Sequence, residues 1–436
     1  MQDLTATAKV AKALELAHAT QETVNAFISL DDERALARAA SIDARMAAGE
    51  EVGPLAGAPV GLKDLIDHEG RVTTCGSAFY AVTATRTAEC VRRLENAGAV
   101  IVGRTNLHEW AFGFNSENEH WGPVRNPWDL NTSAGGSSGG SGAAVAAGIT
   151  PISIGTDTGG SVRVPAALCG TFGLKVTYGK VPLDGVFPLV PSIDTVGPLA
   201  NSMENLDRSY RVLSGDNTPL PEPGELRLGV PEPWYGDAPL HDDIRHAFET
   251  IVGNMRDLGH EVHPIQMPDV KPTSQLIDAI GLEVTASHRE FRQHGEHYSE
   301  AVRTRIEVAE SVTPEAAEAA RSWQQMLRDR FSDAFSTVDL LLTPACPWPQ
   351  KVIGEEMIGE KSHRTVISYF SALVNHALLP AIAMPLPGTG RPPASLQAIG
   401  NHHSEPLLIA FGRSLESDGL VGFEAPGRNP PRPRDR

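Results

Sequence analysis

Residues 135–163 read GGSSGGSGAAVAAGITPISIGTDTGGSVR, two glycine-rich serine clusters joined by a helix and a strand. Glycine serves where the backbone needs positive φ or must approach another group closely, so residues 135–141 carry too much of it for regular structure. Residues 141–148 have the alanine content of a helix, with Gly148 as its C-terminal stop. Residues 151–156, PISIGT, read as a short buried strand. The chain then breaks into Asp157-Thr158-Gly159-Gly160-Ser161. A serine after two glycines lies beside exposed backbone N–H groups, which is what a developing oxyanion needs.

Other readings of this stretch fail on its flanks. A flexible Gly/Ser linker would not be bounded by patterned apolar sequence. A phosphate-cradling loop requires G-x-x-x-x-G-K-[ST], and no lysine lies between Gly135 and Leu174. Residues 135–139 satisfy G-x-S-x-G, but that elbow follows a strand directly, and residues 126–131, NPWDLN, are a turn-rich loop.

Outward from this stretch, helix and strand signals alternate. Residues 5–20 read as a helix, 26–30 as a strand, and 31–48 as a helix capped by Asp31 or Asp32. Residues 60–66, VGLKDLI, form an apolar strand with Lys63 and Asp64 inside it. A buried lysine either pairs with a carboxylate such as Asp64 or stays neutral, when it can act as a base. A helix over 89–96, a strand over 99–103 and a helix opening at 105–109 follow. A short helix follows Ser161, with Lys175 read as structural, and the Pro/Gly-rich loop 181–198 lines the cleft. After a composition break at 217–224, NTPLPEPG, strand, helix and strand recur over 226–230, 242–258 and 261–265, so the sheet continues. Residues 275–335 read as largely helical, and 340–344 and 381–385 as strand edges. This alternation predicts an α/β architecture, a sheet covered by helices on both faces.

Composition narrows the function classes. The chain has 37 basic and 54 acidic residues, a net charge of −17, which disfavours a nucleic-acid surface. Cys75, Cys90, Cys169 and Cys346 have no C-x-x-C spacing and read as reduced, buried thiols of a cytoplasmic protein. No signal-peptide core or long apolar run appears, so no membrane role is expected. His108-Glu109 begins like H-E-x-x-H, but Phe112 takes the fifth position, and His402-His403 lacks partners at ligand spacing. No metal or cofactor is expected.

GGSSGGSGAAVAAG followed by GTDTGGSVRVPAALCG resembles the defining segment of the amidase signature family. The resemblance continues in APVGLKDLID near residue 60, AGAVIVGRTNLHEWAFG near 100, GPVRNPWD near 125, and LPAIAMPLP with SLQAIG near 380–400. It implies a single large domain over 1–423 with a mixed, mostly parallel sheet. The core signature would span 55–200, and variable pocket helices about 270–335. The Pro/Arg-rich tail 424–436 reads as disordered.

The resemblance also implies hydrolysis of a carboxylic amide through an acyl-enzyme. By motif match Ser161 is the nucleophile, Ser137 the bridging serine after a cis Gly136–Ser137 peptide, and Lys63 the terminal base. The lysine pKa must then fall from about 10.4 towards roughly 7–8, and Asp64 must point away from it. The N–H groups of Thr158, Gly159, Gly160 and Ser161 would form the oxyanion hole. Ser138, Asp157 and Arg163 would support it, with Arg163 alternatively receiving a substrate carboxylate; Gly136 and Arg305 would contact substrate. Two other functions stay open: the glutaminase (A) subunit of a tRNA-dependent amidotransferase, and a catalytically inactive binding protein. The expected partner is a small amide, with no direct nucleic-acid contact; a homodimer is left open.

Overall fold

A computed structural model describes residues 4–427 apart from Pro223. Eleven strands form one central sheet. In chain order these are β1 (Phe27–Leu30), β2 (Pro59–Lys63), β3 (Val100–Thr105), β4 (Ile152–Asp157), β5 (Phe172–Lys175), β6 (Thr195–Ala200), β7 (Arg227–Glu232), β8 (Glu261–Gln266), β9 (Leu340–Pro344), β10 (Ala381–Pro385) and β11 (Ser395–Gly400). Across the sheet they run β1-β3-β2-β4-β6-β5-β10-β11-β9-β7-β8. Strands β3, β2 and β4 are parallel, as are β9, β7 and β8. The strands between these blocks pair antiparallel. The sheet is mixed because the connections 176–194 and 386–394 contain no helix, and a parallel return needs a crossover. Strand β7, beyond the break at 217–224, pairs with β9 in the same sheet, so the chain remains one domain.

Side-chain alternation along β3 divides the core. Val100 and Val102 pack with Val10, Leu14 and Ala39 from helices α1 (Ala6–Val24) and α2 (Asp32–Ala47). Ile101 turns to the opposite face and joins Val60, Leu62, Ile152 and Ile154. Helix α3 (Glu89–Asn96) adds Val91 and Leu94 to that second cluster. Helix α4 (Gly139–Ala146) contributes Ala143, Ala144 and Ala146 to the first cluster. Helices therefore cover both faces.

Several elements differ from the sequence reading. Helix α4 begins at Gly139, inside the first serine cluster, and not at residue 141. No regular helix opens at 105–109; a single 3-10 turn covers Glu109–Ala111, with Trp110 and Ala111 at φ of 54° and 59°. Strands β9 and β10 are interior, each hydrogen-bonded on both sides, and not edges. Residues 424–427 have no regular secondary structure, and the rest of the expected disordered tail lies outside the described residues. Among the described residues no helix is long and apolar enough to cross a membrane. All four cysteines are buried and unpaired.

Candidate active site

The parallel neighbours β2 and β4 end at the same edge of the sheet, and open α/β sheets bind ligands beyond such carboxyl ends. Lys63 is the last residue of β2 and Asp157 the last of β4. Lys63 is wholly buried. Its Nζ lies 2.7 Å from Ser137 Oγ and 2.8 Å from Thr156 Oγ1, both hydrogen-bonded. Burial pushes its pKa down to about 7, against opposing pulls from Asp157 and Asp194. Asp64 does not pair with it: its carboxylate accepts from Arg104 Nε at 2.9 Å and from the Thr74 N–H at 3.0 Å. The strand expected over 60–66 ends at Lys63 and turns there, which takes Asp64 to Arg104 and leaves the amine with hydroxyl partners only.

The two serine clusters meet above this amine. The Gly136–Ser137 peptide is cis. A Cβ at Gly136 would lie 2.8–2.9 Å from backbone atoms of residues 114–116, so glycine allows that loop to close over the cluster. Ser138 ties the clusters together. Its N–H donates to Ser161 O at 3.2 Å, its hydroxyl donates to Thr156 O at 3.2 Å, and it accepts from the Thr156 N–H at 3.3 Å. Ser161 lines a cavity and makes no side-chain hydrogen bond to Ser137 among the described residues. That second link is not formed in this structure.

Asp157 organises the turn after β4. Its carboxylate accepts from the N–H groups of Gly160 at 2.7 Å and Val162 at 3.1 Å, and from Arg163 Nε at 3.1 Å and Nη2 at 3.0 Å. Those partners, Arg163 foremost, hold its pKa well below the usual carboxylate range despite burial. One expected oxyanion donor is thereby corrected, because the Gly160 N–H is already committed to Asp157. The N–H groups of Thr158, Gly159 and Ser161 have no acceptor among the described residues. Gly160 has φ of 127°, and a Cβ there would sit 2.1 Å from Ser371 Oγ, so no other residue fits.

Arg163 does not face a ligand. It is fully buried, and its guanidinium also donates to Gln397 Oε1 at 2.8 Å, Asn375 Oδ1 at 2.6 Å and Ser371 O at 3.1 Å. Full burial and the ion pair with Asp157, away from the cavity lining, rule out the alternative that it receives a substrate carboxylate. Arg305 is not a cavity residue either. Its Nη1 donates to His108 Nε2 at 2.9 Å and to Phe112 O. His108 is neutral, burial holding its pKa far down, and its backbone N–H donates to Ser137 O at 3.0 Å. Arg305 thus braces the loop behind Ser137. Gly136 is buried in the same layer and does not line the cavity.

The cavity containing Ser161 has about 590 Å³ of space between its atoms, open solvent at its mouth included. Phe112, Phe114, Leu189 and Ile193 form apolar wall. From the expected pocket helices at 270–335 only Leu276 and Ile280 reach it. Arg364, Ser368, Ala372 and His376 line it too, and sequence reasoning missed them. Their four-residue spacing is a helix-face signal, split here between short helices at His363–Ile367 and Ala372–His376.

The chain belongs to the amidase signature family: the family model Amidase matches residues 8–409. It is similar to the (A) subunit of glutamyl-tRNA(Gln) amidotransferase from Coxiella burnetii, 34% identical over 89% of this chain and 88% of that protein. It is similar also to AtzE, a subunit of 1-carboxybiuret hydrolase from Pseudomonas sp. (strain ADP), 35% identical over 94% of each. A crystal structure of an amidase superposes with a TM-score of 0.91 at 33% identity, covering 95% of this chain and 96% of that one. The protein is an amidohydrolase of this family.

Proposed function

We propose that this chain cleaves a carboxylic amide to a carboxylate and ammonia or an amine by a Ser161–Ser137–Lys63 relay. Ser161 Oγ attacks the amide carbonyl carbon as its proton passes to Ser137 Oγ, and the Ser137 proton passes to neutral Lys63 Nζ. The N–H groups of Thr158, Gly159 and Ser161 take the oxyanion, each useful donor contributing on the order of 3 kcal/mol in the transition state. The proton then returns through Ser137 to the leaving nitrogen as the C–N bond breaks. Water, deprotonated by the same relay, hydrolyses the acyl-Ser161 ester. The observation that carries this reading is Lys63 itself: buried, held near pKa 7, and hydrogen-bonded to the hydroxyl of Ser137 with no carboxylate partner. The test is release of ammonia or amine from an amide panel together with fluorophosphonate labelling of Ser161. Inert amides and an unlabelled Ser161 would favour a binding protein instead.

A second reading has specific support, since similar proteins include subunits of a glutamyl-tRNA(Gln) amidotransferase. The chain would then release ammonia from glutamine for a partner. Arg305, the arginine expected to contact substrate, is held behind the cavity wall by His108 and Phe112, which weakens this reading. Ammonia release from glutamine exceeding that from every other amide of the panel, acid-bearing ones included, would favour it.

A further inference from the structure

Four arginines stand near the site, Arg104 and Arg163 buried and Arg305 and Arg364 partly buried, and three are accounted for. Arg104 pairs with Asp64, Arg163 with Asp157, and Arg305 with His108 and Phe112 O. Arg364 differs. It lines the cavity that contains Ser161, yet among the described residues no acceptor takes a hydrogen bond from its guanidinium and no carboxylate pairs with it. Its recorded contact is the ring of Phe112, 5.9 Å from Cζ to the centroid. The exposed carboxylate of Glu356 is engaged by His363 at 3.2 Å.

A guanidinium does not shed its charge at physiological pH and presents five donors. Half-buried in the cavity wall without a protein acceptor, Arg364 has donors free for a ligand. Burial depresses the Arg364 pKa with no anion raising it, and Arg305 feels repulsion from it. Among the side chains lining the cavity Arg364 is the fixed cation, and Phe112, Phe114, Leu276 and Ile280 line the same cavity. A carboxylate matches its planar fork in two parallel hydrogen bonds.

We infer that Arg364 receives a carboxylate carried by the substrate, so the preferred substrates are amides with an acid group separated from the scissile bond by a short apolar spacer. The inference rests on the amidase reading and narrows it. The acid can belong to the acyl half, as in the monoamide of a dicarboxylic acid, or to the amine half, as in an N-acyl amino acid.

Matched substrate pairs test it: ω-carboxyl amides with two to four methylenes, N-acyl amino acids, and the methyl-ended analogue of each. In one of the two series the acid should be preferred in kcat/KM by about 100-fold or more over its neutral partner. Arg364→Leu should collapse that ratio towards one, and Arg364→Lys should recover part of it. The series that carries the ratio identifies the half bearing the acid. Equal turnover of acid and neutral partners in wild type would overturn the inference while leaving the amidase reading standing. So would equal losses on both partners in Arg364→Leu. A turnover-free arm covers inactivity on every amide: Ser161→Ala protein should bind glutarate in calorimetry, and Ser161→Ala/Arg364→Leu should not. Absence of glutarate binding to the first of these, or equal binding to both, would contradict the inference whatever the catalytic result.

Discussion

Lys63 and Lys175 are both wholly buried strand-end lysines, and burial pushes both to a pKa of about 7. Their partners separate them. Lys63 Nζ is bonded to the hydroxyls of Ser137 and Thr156, whereas Lys175 Nζ donates to the carbonyls of Val176 at 3.0 Å and Leu379 at 2.7 Å. A hydroxyl can accept from an amine or donate to its lone pair, and so can hand protons in either direction. A carbonyl only accepts. Lys175 is therefore a cross-tie between the end of β5 and the segment before β10, while Lys63 has the partners of a proton carrier. A depressed pKa alone does not identify a base; the groups beside it do.

That contrast can be broken most forcefully at Lys63. Lys63→Ala should lower kcat on a cleaved amide by about 10⁴-fold, the upper range of general-base contributions, with the folded signal by circular dichroism retained. Activity within tenfold of wild type would place the two lysines in one class. Lys175→Met should act on stability instead. It leaves two buried carbonyls without a donor, at about 1–3 kcal/mol each, and should shift the denaturant midpoint while keeping the wild-type midpoint of the pH–rate profile. The smallest effect concerns pH. Both lysines lose their protons near pH 7 when folded and near 10.4 when unfolded, so between those values the unfolded chain holds the extra protons. Stability contributed by these groups therefore rises with pH across that window, by about 1.4 kcal/mol per unit for each lysine. Urea unfolding at several pH values should give a shallower rise for Lys175→Met than for wild type; an unchanged slope would mean that Lys175 is not depressed.

Much of the site's framework was legible because it depends on local chemistry. The glycine-serine clusters, the helix between them and β4 are set by short-range propensity, and a lysine within VGLKDLI stands out against its apolar neighbours. Asp157 taking the Gly160 N–H was also within reach, since an aspartate often accepts from backbone a few residues ahead. The missed elements depend on distant packing. The turn at 109–111 replaces a helix where Trp110, at positive φ, packs against Tyr80, Phe187 and Phe291. The resemblance gives Arg305 a ligand, and its sequence context cannot reveal His108 as its partner. Arg364 went unnoticed in HRTVISYF, where nothing local says that its guanidinium meets the cavity without an ion pair.

The pH dependence of covalent labelling tests the central claim most directly. The rate at which a fluorophosphonate modifies Ser161 would be followed from pH 5 to 10 in wild type, Lys63→Ala and Lys175→Met. The account predicts a rise with a midpoint near 7 in wild type and in Lys175→Met, and slow labelling without that midpoint in Lys63→Ala. A midpoint near 7 that survives Lys63→Ala would contradict it.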